Sequence, residues 1–184
     1  MRLYVGLVHY PVYNKNAQVI ASAITTLDLH DLARLSKTYD IKEFYVITPL
    51  ANQQSLAERV RRHWTEGYGA GYNRDRKEAM ELIRVVESLT RAATSIKERE
   101  GESPLLIATD ASKQKERSLS YEAARKIIEG GRAVLLVFGT AWGLEKEVMG
   151  KADYILEPIC GRTGYRHLSV RTAAAIVLDR LAGR

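Results

Sequence analysis

The residues of this chain that could do chemistry fall into three sets. Two glycine-bearing stretches lie in the last third: Phe138-Gly139-Thr140-Ala141-Trp142-Gly143-Leu144, and Pro158-Ile159-Cys160-Gly161 running on to His167-Leu168-Ser169. Glycine lets a backbone approach a ligand and offer its N–H and C=O groups, so two such loops close in sequence suggest one small-molecule site. Neither carries a G-x-x-x-x-G-K-[ST] phosphate loop or a G-x-S-x-G nucleophile elbow. Gly67-Tyr68-Gly69-Ala70-Gly71 follows a helical pattern, not a strand, and lacks the full dinucleotide fingerprint. The second set is acid–base and orienting groups. Arg171 could orient a phosphate or a base, or be a surface arginine. His9 and Asn14 share one loop and could be catalytic or ordinary loop residues. Asp28, His30 and Asp31 could form an acid–base group, although helix capping explains the two aspartates more simply.

The third set interleaves charge with aromatic rings. Arg59, Arg61, Arg62, His63, Trp64, Tyr68, Tyr72, Arg74, Arg76 and Lys77 surround the glycine-rich turn, and Lys113, Lys115 and Arg117 could extend them. Such a surface can hold phosphates while an unpaired base stacks; two solvated helix faces joined by a loop would read the same way. The net charge of +6 favours a polyanionic partner. The single cysteine, Cys160, expected as a buried filler, excludes an intramolecular disulfide and a cysteine zinc site, and the four histidines show no His-x-x-x-His spacing. No metal is therefore expected. No apolar run approaches the length of a membrane span, and Met1-Arg-Leu-Tyr-Val-Gly runs into a strand pattern instead of a signal peptide, so a cytoplasmic location is expected.

These residues need elements to position them. Leu3–His9, Phe44–Thr48, Leu105–Thr109, Ala133–Phe138 and Tyr154–Leu156 are short apolar runs ending at Gly, Pro or polar loops, the pattern of strands buried on both faces. Between them, helices are predicted over Ala17–Ile24, from Thr26 or Asp28 through Leu35, over Ser55–Trp64, from Arg74 as one long helix through Ile96 to Gly101, and over Tyr121–Glu129. The last helix, Leu168–Leu181, contains Ala173–Ala175, which permits close packing. The alternation predicts a single α/β domain over residues 1–184, a mostly parallel sheet flanked by helices.

The ordered pair Phe138-Gly-Thr-Ala-Trp-Gly-Leu144 and Pro158-Ile-Cys-Gly161, followed by Leu168-Ser-Val170 and the alanine run, resembles the SPOUT superfamily of S-adenosylmethionine-dependent RNA methyltransferases. His9-Tyr-Pro-Val12, Leu27-Asp-Leu-His-Asp-Leu-Ala-Arg34, Thr38-Tyr39 and His63-Trp64 extend the resemblance over most of the chain, toward a small branch related to the tRNA (guanine-N1) methyltransferases. The chain departs from that pattern at Arg166, where an asparagine is expected before His167-Leu-Ser. The resemblance implies a C-terminal trefoil knot, a homodimer, S-adenosylmethionine as cofactor and structured RNA, tRNA or rRNA, as substrate. It implies a pocket of Phe138, Gly139, Thr140, Gly143, Leu144, Ile159, Gly161, His167, Leu168 and Ser169, with Thr109 and Tyr165 as additions. Arg171, His9 and Asn14 are then the catalytic candidates, and Arg61, Arg62, Trp64, Tyr72, Arg74, Arg76 and Lys77 the RNA-binding ones.

Two rival readings use the same residues: a non-catalytic module that keeps the fold and binds RNA or protein, and a methyltransferase for a protein or small molecule. Turnover with RNA separates the first, and loss of the Arg62–Lys77 segment separates the second.

Overall fold

A computed structural model describes residues 1–183; the expected domain extends one residue further, to Arg184, which lies outside them. Seven strands form one sheet in the order β5 (Ile83–Val86), β4 (Phe44–Ile47), β1 (Leu3–Val8), β8 (Val134–Gly139), β6 (Leu105–Thr109), β9 (Tyr154–Leu156), β7 (Ser118–Leu119). Every neighbouring pair in it is parallel. The central strands are apolar throughout because each face meets helices. Leu3, Val5, Leu7, Val134, Leu136 and Phe138 point to one side, against α1 (Thr26–Thr38), α2 (Ala51–Thr65), α4 (Arg74–Met80), α6 (Tyr121–Glu129) and α8 (Val170–Ala182). Tyr4, Val8, Leu135 and Val137 point to the other, against α5 (Leu89–Glu100) and α7 (Lys146–Lys151).

Two predicted helices are corrected. Ala17–Ile24 is not a helix: β2 (Val12–Tyr13) and β3 (Val19–Ile20) form an antiparallel hairpin, followed by an extended link to Thr25. The turn is closed by Asn14, whose Oδ1 accepts from the Asn16 and Gln18 amides at 2.8 and 3.0 Å. The long helix from Arg74 is three elements, α4, β5 and α5. Ile83, Val85 and Val86 are β-branched and pair with β4, and Ser88 caps α5 by accepting from the Arg91 amide at 3.1 Å. Apolar residues at 82, 83, 86 and 89 mimic helical spacing, although Ile83 packs in one core layer and Val86 and Leu89 against the other.

Other predicted boundaries hold closely. Thr25 caps α1, accepting from the Asp28 amide, and α6 ends at Gly130 and Gly131, the latter at φ +80°. The short α3 (Tyr68–Tyr72) joins α2 to α4.

Candidate active site at the carboxyl edge of the sheet

Because the strands run parallel, the loops after β1, β6, β8 and β9 leave the same edge. Val8 and Gly139 are register partners at the ends of β1 and β8, so the loops that follow them start side by side. They are bound together along their length. The Tyr13 amide donates to the Gly143 carbonyl at 3.0 Å, Trp142 to that of Tyr13 at 2.9 Å, and Glu145 to that of Pro11 at 3.3 Å. Gly143 sits at φ +103°, and a Cβ on Gly139 would lie 2.7 Å from the Leu144 nitrogen, so each glycine is required by the loop itself. Of the expected pocket residues, Phe138 and Leu144 turn their side chains inward: they are 2% and 7% exposed and pack into opposite core layers.

His9, the first residue after β1, is fully buried. Its Nδ1 lies 3.0 Å from Ser22 Oγ, which lies 2.6 Å from Thr140 Oγ1, and Thr140 donates to the Val8 carbonyl at 2.9 Å. This chain ties the hairpin segment to the loop after β8. Burial pushes the imidazole down to about 4, against smaller raising effects of Asp28 and the Ala23 carbonyl, so His9 is neutral at pH 7. Its Nε2 is buried without a protein partner among the described residues.

Arg171, in the first turn of α8, reaches the first turn of α1. Its Nη1 donates to Asp28 Oδ1 at 2.8 Å and its Nε lies 3.2 Å from Asp31 Oδ2. Asp28 also accepts from Thr25 Oγ1 at 2.6 Å. Asp28 therefore steadies the Thr25 cap and, with Asp31, fixes the arginine. The structure does not bring Asn14 to this cluster; besides closing its turn it donates to Gln18 Oε1 at 2.9 Å.

The loop after β9 is different. Residues 160–169 are all exposed, and among the described residues no backbone–backbone hydrogen bond involves 158–168. A Cβ on Gly161 or Gly164 would meet nothing within 4 Å. Tyr165 and His167 pack edge to face at 5.6 Å, Leu168 is exposed, and Ser169 caps α8 through the Thr172 amide at 3.2 Å. Ile159 is half-buried against the core, and Thr109, at the end of β6, donates to the Val137 carbonyl at 3.0 Å. Cys160 is exposed, not the buried filler expected, because the loop leaves the sheet before it.

In the basic segment, Arg61 pairs with Glu58 and Arg74 with Glu78 within their helices, and Arg62 and Lys77 pair with Glu66 and Glu81, the residues that cap the carboxyl ends of α2 and α4. Trp64 is not an open stacking surface: the Arg76 guanidinium covers its ring at 4.6 Å and His30 and His63 meet its edges. The exposed aromatic surface is instead Tyr72 stacked on Tyr68, 75% and 80% exposed, with ring centroids 6.1 Å apart. No motif marks Ser22, and only the fold places it beside His9; Thr25 is marked by its Thr-x-x-Asp spacing to Asp28, the signal of a helix start, one residue before the expected cap at Thr26. Among the described residues, no group of three His, Cys, Asp or Glu is placed to hold a metal, and no helix is long and apolar enough to cross a membrane.

A family model described as SAM-dependent RNA methyltransferase matches residues 2–183. A tRNA (guanine-N(1)-)-methyltransferase of Oleidesulfovibrio alaskensis is 43% identical over 181 residues, 98% of this chain but 42% of the relative, so the chain spans less than half its length. An uncharacterized protein of Aquifex aeolicus is 37% identical over 99% of this chain and 89% of its own. The SpoU methyltransferase AviRb from Streptomyces viridochromogenes, solved with AdoMet, superposes with a TM-score of 0.59 at 15% identity, covering 98% of this chain and 58% of that one.

Proposed function

We propose that this chain, which belongs to the family of SAM-dependent RNA methyltransferases, transfers the methyl group of S-adenosylmethionine to a nucleotide of structured RNA, tRNA or rRNA. The observation that carries the reading is the pairing of a loop, 158–168, that is exposed from residue 160 onward and makes no backbone–backbone hydrogen bond among the described residues, with a fixed polar cluster beside it at the same sheet edge. The cofactor carries no phosphate, so it fits a site whose offer is backbone N–H and C=O groups. When bound, it supplies an electrophilic methyl carbon on a sulfonium.

The chain's own residues then position and exclude. Backbone of Gly139, Thr140, Gly143, Leu144, Gly161, His167 and Leu168 frames the pocket, with Thr109, Ile159, Tyr165 and Ser169 at its borders. Arg171, oriented by Asp28 and Asp31, presents its remaining N–H groups to a base or phosphate of the RNA. His9, neutral and buried, is a positioning residue that holds Ser22 and Thr140 in register. In-line transfer rests largely on such positioning.

The finer architecture belongs to the same reading. The segment between β9 and α8 closes the trefoil knot, and a second copy covers exposed Leu27, Leu50, Trp142 and Leu168 around the pocket to form a homodimer in the cytoplasm. Calorimetric titration with S-adenosylmethionine, with ATP and NAD as controls, followed by transfer of labelled methyl to unmodified tRNA and rRNA, tests the proposal. Selective binding with transfer is the expected result; binding without transfer to any RNA favours the non-catalytic module.

A further inference from the structure

Away from the sheet edge, α1 and α4 enclose a cleft of about 270 Å³ lined by Arg34, Lys37, Thr38, Asn73, Asp75 and Arg76. Its charges arise from a simple spacing. His30, Arg34 and Lys37 stand at i, i+4 and i+7 on α1, so they share one face, the face turned to α4. The cations are under-compensated. Lys37 pairs with Glu78 at 3.1 Å, but Glu78 is shared with Arg74, and among the described residues neither Arg34 nor Arg76 has a carboxylate partner. The Arg76 guanidinium carbon lies over the Trp64 ring, and its Nε is buried without a hydrogen-bond partner among the described residues. Asp75 is the one acid in the lining.

Resting on the RNA reading above, we propose that this cleft binds a backbone phosphate of the substrate RNA, with Arg34, Arg76 and Lys37 as its cationic ligands. An arginine fork suits a phosphate because it donates two parallel hydrogen bonds. The occupant is a nucleic-acid strand and not a free anion for two reasons. The exposed Tyr68–Tyr72 stack stands on α3, which packs on α4 and offers ring faces to unpaired bases. Arg34 and Lys37 also lie six and nine residues along α1 from Asp28, about 9 and 13 Å at the helical rise. A phosphate held there belongs to a nucleotide a few positions from the one at Arg171. The electrostatic setting agrees: the His30 imidazole is lowered first by burial and then by Arg76, with Arg34 and His63 adding to the effect and Asp31 opposing it.

Arg34 is exposed and unpaired with any carboxylate, so Arg34→Gln leaves the fold intact and tests the site; Lys37→Gln supports it. Fluorescence anisotropy with an oligouridylate and with unmodified tRNA, across a salt series, should show each variant binding severalfold more weakly. The slope of log K against log salt should fall by about 0.7 per lost contact on the single strand. S-adenosylmethionine affinity and the thermal midpoint should match wild type. The His30 pKa, followed by NMR, should rise on RNA binding as the phosphate offsets Arg76 and Arg34. Wild-type affinity and slope in both variants would overturn the cleft while leaving the RNA reading intact. A wild-type protein that binds S-adenosylmethionine but neither RNA would overturn both.

Discussion

The loops after β8 and β9 leave one sheet edge, carry glycines and belong to the same sequence pattern, yet they are built in opposite ways. The first is stitched to the hairpin segment by three backbone bonds and the Ser22–Thr140 contact, and its glycines are demanded by its own packing. The second makes no backbone–backbone bond over 158–168 among the described residues, and its glycines face open space. A glycine motif can therefore mark tight packing in one loop and an open, unpaired backbone in the other. The sequence does not distinguish them; the neighbours of each Cα do.

The sharpest way to break the contrast is Gly139→Val. Its Cβ would overlap the Leu144 backbone, so the variant should lose about 3 kcal/mol in chemical denaturation and its cofactor affinity with it. The damage arises inside the loop and not from obstruction of a ligand. Next comes pH. The folded-state pKa of His9 lies below its ordinary value, so its contribution to stability is full above about 6.5 and is lost as pH falls toward 4. Between about pH 7.5 and pH 5 the protein should lose about 2 kcal/mol, and His9→Asn, which keeps a donor at the Nδ1 position, should flatten that dependence in urea titrations.

A smaller effect is expected for Asp28→Ala, which removes a partner of Thr25 and one of the two carboxylates on Arg171: about 1 to 2 kcal/mol of stability, with methyl transfer falling further than cofactor binding. The smallest structural effect belongs to the open loop. Gly161→Ala should change stability by less than about 0.5 kcal/mol in thermal melts while weakening S-adenosylmethionine in calorimetry. An equal loss of stability at Gly139 and Gly161 would erase the distinction between the loops.

Much of the fold could be read from residues whose environment has two covered faces. Val134–Phe138 and Leu3–Val8 are apolar without interruption because helices lie on both sides, and few other environments produce that pattern. The reading failed where two periodicities coincide, at Ile83–Val86, and where a polar residue closes a turn locally, at Asn14. The candidate site was readable as a pair of loops but not as a set of partners. Nothing in the sequence couples Arg171 to Asp28 and Asp31, or covers Trp64 with Arg76, since these meetings depend on how helices pack.

The bond between Arg171 and Asp28 spans 143 residues. A polypeptide leaving the ribosome from its amino end exposes Asp28 and Asp31 long before their guanidinium is synthesised, two acids in one helical turn steadied meanwhile by the helix dipole and the Thr25 cap. A nascent chain thus carries the whole sheet before the Arg171 guanidinium exists to neutralise those two acids, and the ion pairs that tie α8 to α1 close only after every strand has been made.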